Sequence, residues 1–134
     1  MSIQVGQKAR RSKTVTARDV ELYAEITGDR NPLHFDAAFA AGTRFGGLVA
    51  QGGITSGMLN ALVAMDLPGP GTVFMSQTLK YLAPTYLGDT LTAEVEVLSV
   101  KPDKPVCQLK ATVTNQDGTV VLEGECWTYT MRPA

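Results

Sequence analysis

From Ile54 to Met65 the chain carries no charged side chain, and Ile54, Met58, Leu59, Ala61, Leu62, Val63, Ala64 and Met65 spread apolar surface around most of a helical circumference. A helix that is apolar all round has to be buried. The run is shorter than the ~20 apolar residues a bilayer requires, so protein is the expected burying partner. Pro68-Gly69 ends it, and Gly52-Gly53 opens it. Because two glycines place no side chain over the first amides, this helix start is suited to negative charge. The remainder of the chain is expected to wrap around this segment.

Upstream, Val5 to Thr14 is rich in basic residues and reads as a short edge strand at best. Thr16-Ala17-Arg18-Asp19 has the form of a capping box, and Val20, Tyr23, Ala24 and Thr27 recur at helical spacing until Gly28, with Glu21 and Glu25 facing out. Asp29 to His34 is expected as a loop, since the residue before Pro32 is pushed away from helical geometry. Asp36 can cap a short turn over Ala37 to Ala41, closed by Gly42. The glycines at 42, 46, 47, 52 and 53 imply tight backbone packing or close approach of a ligand, without separating the two.

After Pro70 the pattern changes to period two. Thr72 to Leu82 is strand-like; Leu91, Ala93, Val95 and Val97 alternate with polar residues, as do Cys107, Leu109, Ala111 and Val113. Asn115-Gln116-Asp117-Gly118 is a hairpin turn, and Val120 to Met131 closes the sheet. On that last strand Trp127 and Tyr129 share a face with Glu123 and Glu125, a mixture suited to partial cover by a second subunit. The expectation is one α+β domain over residues 1–134, with a curled antiparallel sheet around a central helix.

A net charge of −1 with 19% charged residues leaves no basic stripe, so neither nucleic acid nor an anionic membrane is an expected partner. The N-terminal residues lack a basic region followed by an apolar run, which sets a cytoplasmic location as the expectation. Cys107 and Cys126 fall in strands outside any C-x-x-C pattern and read as small buried thiols, with pairing left open.

His34 is the sole histidine and follows Asp29 by five residues in a segment stiffened by Pro32. An acid and an imidazole can therefore converge on one spot, the makings of general acid–base chemistry. The alternative is an exposed loop histidine beside a turn-capping aspartate. Asn31 can orient Asp29 or a ligand, or serve simply as a turn residue before proline. Gln51 is placed to cap the central helix or to support a ligand. Ser56 and Asn60 lie four apart on that helix, where buried polar groups must meet protein partners, water or substrate. One histidine and no clustered cysteines do not make a zinc site, and neither a G-x-S-x-G elbow nor a phosphate loop is present.

Asp29-x-Asn31-Pro32-x-His34, then a glycine-rich entry to a central helix, then Leu87-Gly88-Asp89-Thr90-Leu91, resembles the MaoC-like, (R)-specific enoyl-CoA hydratase family over nearly the whole chain. The resemblance implies a hot-dog fold and a homodimer, with higher oligomers left open, whose active sites lie near the subunit interface. It implies Asp29 and His34 as catalytic groups, the Gly52 amide as the donor to a thioester oxygen with Gly53 beside it, and Asn31 as a residue shaping the site. Gln51 and Asn60 complete the substrate-binding candidates; many members carry histidine at the first position and some carry serine at the second. The implied substrate is an acyl-CoA of fatty acid metabolism, with no metal and no further cofactor. Dehydration of 3-hydroxyacyl-ACP, acyl-CoA thioester hydrolysis and a non-catalytic acyl-CoA binding subunit are the competing readings.

Overall fold

The structure, a computed structural model, describes residues 3–133. Its strands are β1 (Lys8–Thr14), β2 (Thr72–Tyr81), β3 (Thr90–Val100), β4 (Val106–Thr114) and β5 (Val120–Thr130). All pair antiparallel in one sheet of order β1-β3-β4-β5-β2. The helices α1 (Ala17–Thr27), α2 (Pro32–Phe35), α3 (Ala37–Ala41) and α4 (Gly52–Ala61) lie between β1 and β2 in the chain. This is the hot-dog arrangement expected from the sequence.

Alternation places the core. Leu91, Ala93, Val95 and Val97 of β3 are fully buried, and Cys107, Leu109, Ala111 and Val113 of β4 point to the same side. Met58, Leu59, Leu62 and Val63 from α4 and the turn that follows complete this cluster, so the central helix supplies the second layer. Both cysteines are buried and free. Burial raises both thiol pKa values, that of Cys126 to about 12, so each stays a protonated, inert space-filler.

Local signals set the element ends. Thr16 Oγ1 accepts from the Asp19 amide at 3.2 Å while Asp19 Oδ2 accepts from the Thr16 amide at 2.9 Å, the reciprocal cap expected at α1. Gly28 closes α1 in the left-handed region at φ 81°. In the β4–β5 turn, Asn115 Oδ1 accepts from the amides of Asp117 and Thr119, and Gly118 takes φ 78°.

Three expectations need correction. The Asp29–His34 segment is not all loop: Pro32 starts the single turn α2, because a proline at the first helical position loses no needed donor. Asn31 itself keeps the extended geometry expected before proline, at φ −53° and ψ 135°. The central helix is also not regular to its end, since Leu62–Asp66 widens into a π-helical turn. That turn carries Asp66 to Arg11 of β1, whose side-chain hydrogen bonds, 2.6 and 3.2 Å long, hold the Asp66 carboxyl below its usual range.

The third correction concerns burial. In the single chain α4 is not covered on all sides: Gly52 and Asn60 are exposed, and Gly53, Ser56 and Gly57 are only half-buried, as is Ala64 in the turn that follows. At helical spacing these small residues form one face, while Thr55, Met58, Leu59 and Leu62 form the face held by the sheet. Asn60, expected among buried polar groups, therefore faces outward and needs no partner within the chain.

Candidate active site

The site is built where α1 ends and α4 begins. Asn31 accepts from the Leu33 amide through its side chain at 3.0 Å, and its own amide donates to Asp29 Oδ1 at 3.2 Å. One Asp29 oxygen is thus committed to fixing the turn. The other, Oδ2, lies 3.6 Å from His34 Nε2. The Asp29 side chain is 41% exposed and that of His34 10%, so the carboxylate reaches solvent while the imidazole is largely enclosed.

The tautomer of His34 follows from its partner. Nδ1 lies 2.6 Å from the Val49 carbonyl, which can only accept, so Nδ1 carries the hydrogen. In the neutral ring Nε2 is then a lone pair facing a carboxylate oxygen. At 3.6 Å these two acceptors cannot bond to one another. A single water, however, can donate one hydrogen to each, which holds its oxygen lone pair outward as a nucleophile.

Gln51 does not cap α4 with its side chain. Its Nε2 instead donates to the Val20 carbonyl at 3.1 Å and more weakly to the Asp29 carbonyl at 3.4 Å, tying the acid's backbone to both helices. Both of those groups accept only, which fixes the amide orientation. Gln51 Oε1 is buried without a protein partner. Gln51 is thus a support for the Asp29 turn. Arg30 adds an exposed clamp beside it, its guanidinium 2.9 Å from Glu21 on α1.

The Gly52 and Gly53 amides donate to no protein acceptor among the described residues, as their place in the first turn of α4 requires. Here glycine is demanded by close approach rather than by dihedral angle. A Cβ on Gly53 would overlap the Tyr23 hydroxyl and ring, and a Cβ on Gly52 would lie 3.0 Å from the Tyr81 ring. Tyr23 and Tyr81 thus flank the bare helix start from two sides. Sequence reasoning read Tyr23 only as a helix-face residue and Tyr81 as part of a strand; the glycine doublet was the sole hint that something large sits against it.

Two openings lie against α4, and neither is lined by Asp29 or His34. A groove of about 460 Å³ runs along α4, with Leu22, Tyr23, Ile26, Ile54, Gly57 and Met58 among its lining. On the other side a cleft of about 360 Å³ reaches Gly52 and Thr55, with Tyr81, Pro84, Phe45 and Arg44 on its walls. Of the expected site residues, Asp29, Asn31, His34 and Gln51 are joined by contacts, and Gly52 and Gly53 follow Gln51 directly at the start of α4. Asn60 lies two turns further along on the exposed face and makes no side-chain hydrogen bond among the described residues. Among those residues no cluster of three metal-ligating side chains occurs, and no helix is long and apolar enough to cross a membrane.

The fold and the site together define the class: a hot-dog scaffold that pairs an acid with an imidazole and ties the acid's backbone, through Gln51, to the start of its central helix. Residues 2–121 match the MaoC like domain, and the chain belongs to that family. It is 40% identical to the (R)-specific enoyl-CoA hydratase of Aeromonas caviae over 92% of either chain. It is 42% identical to the 3-hydroxybutyryl-CoA dehydratase of Methylorubrum extorquens over 92% of this chain and 78% of that one. Among solved structures it is similar to an (R)-hydratase from A. caviae described as involved in PHA biosynthesis, with a TM-score of 0.93, 38% identity and coverage of 97% and 98% of the two chains.

Proposed function

We propose that this chain is a hydro-lyase that adds water reversibly to a trans-2-enoyl-CoA, giving the (R)-3-hydroxyacyl-CoA. The observation that carries the reading is the pair of acceptors, Asp29 Oδ2 and His34 Nε2, 3.6 Å apart, with the Nδ1 hydrogen already committed to Val49. The stereochemical label rests on relatives of that name.

The chemistry then runs as follows. The thioester oxygen accepts from the Gly52 amide, where the helix dipole adds to the field. Water held by Asp29 and His34 bonds through its oxygen to C3, and the C2–C3 π electrons move toward the carbonyl, giving an enolate whose charge rests on that oxygen. The proton released by water passes to the Asp29–His34 pair and returns from it to C2. Water is thereby divided between C3 and C2, and the pair ends as it began. Removing a single donor of this kind in other enzymes costs about 3 to 4 kcal/mol, so the Gly52 amide is a major part of the rate. Neither a metal nor a redox cofactor has a step to perform in this scheme.

The acyl tail is assigned to the groove along α4. Apart from the neighbouring backbone of α4 itself, no atom of the described residues lies within 4 Å of where a Cβ on Gly57 would stand, so Gly57→Leu can be accepted by the fold while filling that groove. Turnover of an eight-carbon enoyl-CoA should fall at least about tenfold relative to crotonyl-CoA, a change of ~1.4 kcal/mol in barrier. Equal effects on both chain lengths would move the tail elsewhere.

The proposal includes a homodimer. The edge strand β2 exposes Val73 and Met75, apolar side chains on a strand with a free edge. Light scattering should give twice the chain mass, and a monomer at working concentration would exclude it. The activity itself is tested by following loss of enoyl absorbance on mixing with crotonyl-CoA and resolving the product on a chiral column. The (R) alcohol is expected; free thiol without hydration would mean thioesterase chemistry instead.

A further inference from the structure

The cleft on the Gly52 side has a single charged residue in its lining, Arg44. Arg10, Arg11 and Arg30 each face a carboxylate, on Glu94, Asp66 and Glu21 respectively. Arg44 forms no ion pair among the described residues; its guanidinium carbon lies 5.6 Å over the Phe45 ring. That ring stacks and orients a planar cation without neutralising it.

The walls leading in from Arg44 are Phe45, Tyr81, Leu82 and Pro84, and the inner end is Gly52 and Thr55. This cleft is mostly apolar, ends on the proposed thioester position, and presents one unneutralised arginine. Those three properties match an amphipathic arm that carries a thioester at one end and phosphate at the other. No carboxylate lines the cleft to repel such an anion.

We propose that the cleft holds the pantetheine arm of the CoA thioester and that Arg44 binds its pyrophosphate, an inference that rests on the hydratase reading. Arg44 is a binding residue, and its charge acts on the carrier rather than on the reacting carbons. The backbone around Arg44 is held independently of its side chain, since Thr43 Oγ1 donates to the Ala40 carbonyl and accepts from the Phe45 amide, while Tyr86 Oη donates to the Phe45 carbonyl. Replacement of the guanidinium therefore leaves the cleft in shape.

The test compares wild type, Arg44→Gln and Arg44→Lys by calorimetric titration with CoA and with pantetheine, which lacks phosphate. Arg44→Gln should weaken CoA binding by about tenfold and leave pantetheine binding unchanged. Arg44→Lys should recover part of the loss, because charge returns without the two-pronged geometry. In turnover, Arg44→Gln should raise KM for crotonyl-CoA by a similar factor with kcat within about twofold, and should leave crotonyl-pantetheine unaffected. CoA affinity unchanged in Arg44→Gln, or both ligands weakened equally, would overturn the assignment. Wild type that binds CoA through Arg44 yet turns over no enoyl-CoA would overturn the hydratase reading and leave this one standing.

Discussion

Asp29→Asn is expected to lower kcat for crotonyl-CoA hydration by about 10²- to 10⁴-fold while leaving the fold intact, the range lost when a positioned general base is removed. The two carboxylate oxygens have separate duties. Oδ1 accepts from the Asn31 amide at 3.2 Å, and the side-chain oxygen of asparagine can accept the same bond. Oδ2 faces His34 Nε2, and there asparagine places an NH2 group that donates to water where a base must accept from it. The half-exposed position also means that no buried charge is stranded by the change. Melting temperature should therefore stay within a few degrees of wild type while absorbance-monitored turnover collapses. Near-normal turnover would remove Asp29 from the role of base.

His34→Ala is the second large effect, with activity expected to fall by about 10²-fold or more. This variant should also lose stability. His34 is buried, and its Nδ1–H is a hydrogen-bond donor to the Val49 carbonyl at 2.6 Å; deleting the ring leaves that acceptor unpaired, at a cost of about 1 to 3 kcal/mol. His34→Asn separates the two consequences, because the asparagine NH2 can stand near the position of Nδ1 and keep the bond to Val49 while offering no basic lone pair toward Asp29. The asparagine variant should melt near wild type, and its rate should match that of the alanine variant. Recovery of rate along with stability would make His34 a structural histidine.

Features written in short stretches of sequence were legible before the structure. The capping box of Thr16 and Asp19, the glycine stop at Gly28, the Asn115–Gly118 turn and the alternation along β3 and β4 each depend on residues within a few positions of one another. The Asp29–His34 pairing belongs with them, because α2 closes the gap between the two locally. What could not be read depends on chain segments far apart. Gln51 reaches Val20 across 31 positions, Tyr86 holds the Phe45 carbonyl across 41, and Tyr23 lies against Gly53. The exposure of Asn60 in the single chain was unreadable for a related reason: an apolar run states that a helix is covered, but not whether the cover comes from its own sheet or from a second copy. Arg44 carried no sequence signal at all, since only the folded chain shows that it is the one charged residue lining the cleft beside Gly52.

The proposed hydration needs one water delivered from one side of the double bond, with oxygen and proton supplied by groups that stand together. Hydration of crotonyl-CoA in deuterium oxide, followed by determination of the relative configuration at C2 and C3, measures that directly. The expected product carries the deuterium and the hydroxyl added to the same face. Addition to opposite faces would contradict it, because a carboxylate and an imidazole sharing one water cannot reach both.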